Sequence, residues 1–275
     1  MQLVDSVFER DTCHNLRMSN DEISSCASND IRFVLVRTSH PGNIGAAARA
    51  IRTMGFARLA LVAPHRFPHP DAVAMASGAT GVLDDATVTP TLVDAVSDCT
   101  LVLGCTARAR AVQLEELSPR EAASRALAAS AHGPVAIVFG NERTGLENDE
   151  LMSCHAAVRI PSVEDFPSLN LAQAVQVLAY ELRRTMLEGA PQSAGEAKSD
   201  PPATAEQLEH LFGHLAQMLD DIDFHKGRSP VTIMKRLRRL FLHAALDQRE
   251  VRILRGIFDD AQRMARLAKT TDRSP

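Results

Sequence analysis

Residues 135–146 read VAIVFGNERTGL, an apolar run followed by a polar loop with a glycine at each end. The run Val135–Phe139 has no polar residue, which is typical of a strand buried on both faces of a parallel sheet. Gly140 and Gly145 allow a tight loop whose backbone can approach a ligand closely. The stretch therefore predicts a parallel sheet with a binding loop at the carboxyl end of one strand.

A second strand and a second loop follow. The strand is predicted over Ala156–Ile160, and its loop is rich in proline and acidic residues. Ser168 is the predicted N-cap of a long helix, because apolar residues recur behind it at helical spacing. Loops at the carboxyl ends of parallel strands meet at one edge of a sheet. We expect four polar residues to share a crevice there: Glu142, Arg143, Ser168 and Asn170.

The chain before these loops alternates strands with helices. The predicted strands are Ile31–Val36, Arg58–Val62 and Leu101–Gly104. The predicted helices are Asn43–Met54, Asp71–Ser77, Leu92–Ser97 and Pro119–Ala129. This alternation indicates an α/β fold, a mostly parallel sheet with helices on both faces.

The two ends of the chain differ from this region. Residues 1–30 are polar and aperiodic, so we expect a flexible extension in which Met18 is a candidate start. Residues 188–205 are rich in Pro, Ala, Gly and Ser, which predicts a linker. Residues 206–275 show three amphipathic helical patterns. The α/β domain is thus expected over residues 31–187, and a small all-helical extension over 206–275.

Charge and cysteine content narrow the function classes. The formal net charge is -4, yet residues 225–275 carry 13 basic against 5 acidic side chains, which indicates a polyanionic partner. The five cysteines, Cys13, Cys26, Cys99, Cys105 and Cys154, show no metal-ligand spacing and fit free thiols in a reducing compartment. With neither a signal peptide nor an apolar span in the sequence, we expect a cytoplasmic protein with no bound metal and no membrane association.

Several common sites are excluded. The Gly140 loop lacks the Gly-Lys-Ser/Thr ending of a phosphate-binding P-loop, and no G-x-G-x-x-G opens a helix after a strand. Ser168 does not stand in the G-x-S-x-G turn of a serine hydrolase.

A third motif lies in residues 40–50, HPGNIGAAARA, where Asn43 and Arg49 are the groups with strong hydrogen-bonding chemistry. Each motif alone also has a structural reading: Asn43 as a helix N-cap with Arg49 as a surface charge, Glu142 in an acidic turn, and Ser168 as a simple cap.

Taken together, in this order and spacing, the motifs resemble the SPOUT methyltransferases, in particular the SpoU branch of RNA ribose 2'-O-methyltransferases. That branch is marked by an Asn with an Arg six residues later, a Gly-x-Glu loop after a buried strand, and a Ser-x-Asn before the last helix. Residues 230–241 and 250–257 further resemble the helical extension of TrmJ-type tRNA methyltransferases. Those enzymes modify the cytidine or uridine at nucleotide 32 of the anticodon loop.

The resemblance implies a fold, a cofactor and roles for particular residues. The fold would be a SPOUT domain with a deep trefoil knot near its carboxyl end, and the cofactor would be S-adenosyl-L-methionine. The implied cofactor-binding residues are Cys105, Thr106, Ala107, Gly140, Ile160, Pro167, Ser168 and Leu169. The implied catalytic residues are Arg49, Asn43, Glu142, Ser168 and Asn170.

Arg49 would contact the RNA at the target nucleotide. A guanidinium is a poor proton acceptor and a good bidentate phosphate ligand, so we expect a phosphate clamp rather than a base. The implied residues that hold the tRNA backbone are Arg49, Lys235, Arg236, Arg238, Arg239, Arg252 and Arg255. Since aromatic residues make up only 4% of the chain, phosphate contacts should dominate over base stacking.

We also expect an obligate homodimer. In SPOUT families the helices that correspond to those carrying Asn43 and Asn170 pack across a two-fold axis. Small or apolar residues at positions expected to be exposed on those helices also suggest a second partner surface. These residues are Ala46, Ala50, Ala172 and Val175. Two alternatives stay open: a ribosomal-RNA 2'-O-methyltransferase of the same branch, and a non-catalytic knotted RNA-binding protein.

Overall fold

The computed structural model describes residues 30–107, 114–163, 165, 168–189 and 200–271. The predicted extension before Asp30 and residues 190–199 of the predicted linker lie outside these ranges. The strands are β1 Ile31–Val36, β2 Arg58–Val62, β3 Thr87–Thr89, β4 Leu101–Cys105, β5 Glu116–Leu117, β6 Val135–Phe139 and β7 Ala156–Val158. The helices are α1 Pro41–Thr53, α2 Pro70–Ala76, α3 Thr80–Asp84, α4 Leu92–Val96, α5 Pro119–Ser130, α6 Asn148–Met152, α7 Leu171–Glu188, α8 Ala205–Asp221, α9 Pro230–Ala244 and α10 Gln248–Thr271.

The strands form one parallel sheet in the order β3-β2-β1-β6-β4-β7-β5. This confirms the predicted α/β class. Ile137 of β6 pairs with Phe33 of β1 on one side and with Leu103 of β4 on the other. The late strands β6 and β7 thus lie between strands that precede them in the chain. That order is compatible with the expected knot, which stays a prediction.

Helices cover both faces of the sheet. Phe33 and Ile137 point to the face covered by α1, α2, α5 and α7. Val34 and Val138 point to the opposite face, which α4 and α6 cover. Because side chains alternate along a strand and both faces are covered, every residue of β6 is buried. The uninterrupted apolar run in the sequence has this origin.

The structure moves two predicted helix starts. Helix α7 begins at Leu171, and its N-cap is Asn170 rather than Ser168: the Asn170 Oδ1 atom accepts a hydrogen bond from the Ala172 backbone N–H at 2.9 Å. Ser and Asn cap helices about equally well, so spacing alone could not separate them. Helix α1 begins at Pro41, two residues before Asn43, which frees the Asn43 side chain from the capping role.

Other differences concern short elements. The predicted strand Ala156–Ile160 ends at Val158, and Ile160 belongs to the following loop. The short elements α3, α6, β3 and β5 were not predicted. Each has five residues or fewer, which is too short to display a hydrophobic period.

Small and apolar residues of α1 and α7 pack against other elements of the same chain. Gly45 meets the backbone of α2 so closely that a Cβ atom would lie 2.0 Å from the Ala72 carbonyl oxygen. Ala50 is 6% exposed and Val175 is fully buried, both in the core shared by α1, α7 and the sheet. The expectation that these two residues face outward was therefore wrong, because α2 and α7 already cover the extra apolar stripe of α1.

Helices α8, α9 and α10 build a separate small core around Leu211, Phe212 and Phe258. The three predicted amphipathic patterns are confirmed as helices. The first turn of α8 also bonds to the α/β domain: the Ala205 N–H donates to the Cys99 carbonyl at 2.8 Å, and the Glu206 N–H donates to the Ser97 carbonyl at 3.0 Å. None of the helices described is long and apolar enough to cross a membrane.

Candidate active site

A cleft opens at the carboxyl ends of β4, β6 and β7. Its atom-free volume is about 820 Å³ when the part open to solvent is counted. Seven of the eight residues expected to bind the cofactor line it: Cys105, Thr106, Ala107, Gly140, Ile160, Ser168 and Leu169. Pro167 lies outside the described residues. The lining combines apolar side chains with backbone groups of small residues, as ligand pockets commonly do.

The Gly140 loop folds back on itself beside the cleft. A Cβ atom on Gly140 would lie 2.1 Å from the Gly145 carbonyl carbon, so only glycine permits this approach. Asn141 holds the turn, since its Oδ1 accepts from the Arg143 N–H at 2.9 Å and its Nδ2 donates to the Arg37 carbonyl at 2.6 Å. The loop is thereby fixed to the connection that follows β1.

Glu142 reaches from this loop to the start of α1. Its carboxylate accepts hydrogen bonds from the backbone N–H groups of Ser39 at 2.9 Å and His40 at 3.2 Å, and from Asn43 Nδ2 at 3.0 Å. Burial raises the pKa of Glu142, but the bonds from Asn43, Ser39 and His40 together outweigh it, so the pKa falls below its ordinary value. Glu142 is therefore ionised at neutral pH and is not a proton donor there.

A directed chain of amides continues from Glu142. Asn43 donates to the carboxylate, and its Oδ1 accepts from Asn170 Nδ2 at 3.1 Å. The Asn170 oxygen in turn caps α7. Because an ionised carboxylate can only accept, Asn43 must present its NH2 group to Glu142, and this sets the orientation of Asn170 as well. Three motifs far apart in sequence are thus joined by one hydrogen-bonded chain.

Arg49 lies apart from this chain. It is exposed on α1, six residues after Asn43, and is not among the residues that line the cleft. Six residues correspond to roughly 240° of rotation about a helix axis, so the two side chains leave α1 in different directions. Within this chain, the structure does not bring Arg49 together with Glu142 and Asn170.

The cleft thiol is not a nucleophile candidate. Burial, with a smaller contribution from neighbouring Cys154, raises the pKa of Cys105 far above its ordinary value. Its thiol therefore stays protonated and serves as an apolar wall. Among the residues described, no cluster of three His, Cys, Asp or Glu side chains could hold a metal.

The basic side chains of the extension fall into two kinds. Lys235, Arg236 and Arg255 are exposed on the surface of α9 and α10, as are Arg239 and Arg252. Arg238 instead packs inside the extension, with its guanidinium 4.3 Å from the centre of the Phe212 ring and bonded to both carboxylate oxygens of Glu209. This partly buried ion pair assigns Arg238 to the helical core.

The sequence did not single out Arg37 or Asn141, which organise the Gly140 loop. Asn141 was visible as the residue between Gly140 and Glu142, but Asn is common in any turn. Arg37 carried no signal, because its partners Glu147 and Glu150 are more than a hundred positions away along the chain.

Comparison with known proteins agrees with this geometry. Residues 30–180 match the SpoU rRNA Methylase family, so the α/β domain and its cleft are those of a SpoU-type methylase. Residues 206–270 match the C-terminal domain of the tRNA methyltransferase TrmJ.

Relatives cover 83–86% of the chain. It is 49% identical over 244 residues to the tRNA (cytidine/uridine/adenosine-2'-O-)-methyltransferase TrmJ of Pseudomonas aeruginosa, spanning 86% of this chain and 95% of that protein. It is 45% identical over 231 residues to the tRNA (cytidine/uridine-2'-O-)-methyltransferase TrmJ of Salmonella typhimurium, spanning 83% and 94%. The crystal structure of TrmJ from Z. mobilis ZM4 superposes with a TM-score of 0.72 at 38% identity, covering 83% of this chain and 97% of that one. The chain belongs to the SpoU methylase family and, within it, to the TrmJ methyltransferases.

Proposed function

We propose that this protein transfers a methyl group from S-adenosyl-L-methionine to the ribose 2'-hydroxyl of nucleotide 32 in tRNA, a cytidine or a uridine. The observation that supports this proposal most directly is the cleft, which is lined by seven of the residues expected to bind the cofactor and bordered by the Glu142–Asn43–Asn170 hydrogen-bonded chain. The TrmJ relatives, named for tRNA 2'-O-methylation, favour this substrate over ribosomal RNA. The proposal is limited to cytidine and uridine, although the P. aeruginosa relative is named for adenosine too.

The cleft has the character that such a cofactor needs. Val158, Ile160 and Leu171 offer an apolar wall for a purine ring, and the Gly140 loop offers backbone groups to polar atoms. The bound cofactor supplies an electrophilic methyl group on a sulfonium. The protein would supply position: the residues that line the cleft and those that contact the RNA would hold the ribose 2'-oxygen in line with the methyl–sulfur bond, and alignment of this kind accounts for much of the rate.

Arg49 acts on the RNA, in this proposal, from the second subunit of a homodimer. Its exposure on α1, away from the cleft of its own chain, supports an action in trans. Helix α7, which packs against α1, also carries exposed apolar side chains, since Tyr180 is 50% exposed and Leu187 is 70% exposed. A surface of this kind fits burial against a second copy. Arg49 would then hold the phosphate beside the target ribose as a bidentate ligand.

The direct test is tritiated methyl transfer to total tRNA and to ribosomal RNA, followed by mapping of the modified nucleotide. We expect label at nucleotide 32 of tRNA alone. Label in ribosomal RNA would favour the alternative enzyme. Cofactor binding by calorimetry without transfer to either RNA would favour the non-catalytic alternative.

Mixed dimers test the trans arrangement. Arg49→Ala removes the phosphate clamp, and Gly140→Val distorts the loop that lines the cleft, because its Cβ atom would collide with the Gly145 backbone. Each variant alone should therefore be inactive. A mixture that exchanges subunits should regain activity, because one site of the heterodimer keeps both an intact cleft and an intact Arg49. No recovery in verified heterodimers would place Arg49 in the cis site.

A further inference from the structure

The connection after β1 carries an arginine outside the three motifs. Arg37 directly follows β1 and has a φ of +51°, in the left-handed region that an arginine rarely adopts. Its N–H donates to the Val62 carbonyl at 2.8 Å and its carbonyl accepts from Asn141, so the unusual conformation is held from both sides. Residues kept in such conformations are often tied to function.

The Arg37 side chain binds the end of the Gly140 loop and the start of α6, at three points in all. Its guanidinium pairs with Glu150, lies 3.2 Å from a carboxylate oxygen of Glu147, and donates to the Gly145 carbonyl at 3.5 Å. Glu150 is only 13% exposed, so its pair with Arg37 is shielded from solvent. A planar guanidinium suits this role, since it can address several acceptors at fixed angles.

These contacts complete the attachment of the loop. Glu142 bonds the first half of the loop to Ser39, His40 and Asn43. Arg37 bonds the end of the loop at Gly145 and the following helix α6 at Glu150, and we call these Arg37 contacts the rear tie. Between the two ties lie Arg143 and Thr144, both of which line the cleft.

We infer that Arg37 is a positioning residue, which sets the rear half of the Gly140 loop for cofactor binding without touching the cofactor. The inference rests on the proposed function, because it assigns S-adenosyl-L-methionine to the cleft. Loss of the rear tie should let the loop open and weaken cofactor binding beyond any effect on global stability.

The chain offers a matched control on β1, the strand that Arg37 follows. Arg32, near the amino end of β1, forms a two-point ion pair with Asp98 and donates to the Ala95 carbonyl at 2.6 Å. It is a part-buried arginine with a similar number of partners. It lies toward the amino ends of the strands, whereas the cleft lies at their carboxyl ends. Arg32→Ala should lower stability to a comparable degree and leave cofactor affinity within about twofold of the wild type.

The experiment measures cofactor affinity by calorimetry and amide hydrogen exchange in the free protein. Arg37→Ala should weaken S-adenosyl-L-methionine binding by about 10-fold, which corresponds to about 1.4 kcal/mol. Arg37→Lys keeps the positive charge but lacks the planar guanidinium with its several N–H donors, and should recover part of the lost cofactor affinity. Exchange at the Arg143, Thr144 and Gly145 amides should accelerate in Arg37→Ala and not in Arg32→Ala.

Equal affinities and equal exchange in Arg37→Ala and Arg32→Ala would overturn the inference. If the wild type bound no S-adenosyl-L-methionine, the proposed function would fail. The positioning role of Arg37 would then be decided by the exchange data alone.

Discussion

Substitution of Asn170 separates helix capping from the amide chain. In Asn170→Asp the cap survives, because Asp caps as well as Asn, and a negative charge at the start of α7 contributes about 0.3–1 kcal/mol. The group facing Asn43 changes from a donor to an acceptor, however. Asn43 cannot turn over to compensate, since Glu142 needs its NH2 group.

The magnitudes follow from these contacts. The lost hydrogen bond costs about 1 kcal/mol and the charge offsets much of it, so the unfolding free energy of Asn170→Asp should stay within about 1 kcal/mol of the wild type. Asn170→Ser also keeps a cap and loses about 1 kcal/mol, whereas Asn170→Ala loses both contacts and about 2 kcal/mol. Methyl transfer should fall at least about 10-fold in all three variants, because each breaks the link to Asn43.

Urea denaturation and single-turnover methyl transfer at saturating tRNA and cofactor give the two readouts. A wild-type rate in Asn170→Asp would refute a role for the amide chain in the reaction. Equal stability of the Ala and Ser variants would show that the Asn170 cap contributes nothing.

Three further outcomes are expected. Burial, then the charge of Arg125, lowers the pKa of His155 to about 4. The stability that neutral His155 provides is therefore complete above about pH 6.5 and is lost as the pH falls toward 4. The urea midpoint should fall over this pH range in the wild type and fall less in His155→Gln. Arg238→Ala should lower stability by about 1–2 kcal/mol, whereas Arg236→Ala should weaken tRNA binding and reduce its salt slope by about 1, as filter binding across salt would show. Ala50→Glu should unfold the protein rather than yield a folded monomer, because Ala50 is buried within the chain; circular dichroism with light scattering separates the two.

Most of the fold followed from hydrophobic period. The buried run Val135–Phe139 and the alternation before it predicted the parallel sheet, because a strand covered on both faces has to be apolar throughout. Helix starts were less accurate, because Ser168 and Asn170 are both good caps by residue type. The local signal that separates them is Gln173, three residues after Asn170: its side chain accepts from the Asn170 N–H at 3.3 Å and completes a capping box, whereas Ser168 has Leu171 at that spacing.

Only part of the site was predicted, because some of its contacts depend on how distant segments pack together. The residues that line the cleft or join the amide chain were implied by the resemblance of the three motifs to the SpoU branch. Their partners were not, since Ser39 and His40 contribute only backbone N–H groups. The burial of Ala50 could not be predicted either. A small apolar residue on a helix looks the same whether a helix of the same chain or a second subunit covers it.

Tyr180 gives the molecule a built-in optical probe. The sequence has one tyrosine and no tryptophan, so near-ultraviolet emission above the weak phenylalanine contribution comes from a single side chain. That side chain is half exposed on α7, the helix whose cap closes the amide chain. Its emission and quencher access can therefore be followed on dilution or on addition of RNA, reporting on this one helix face in the unlabelled, unmodified protein.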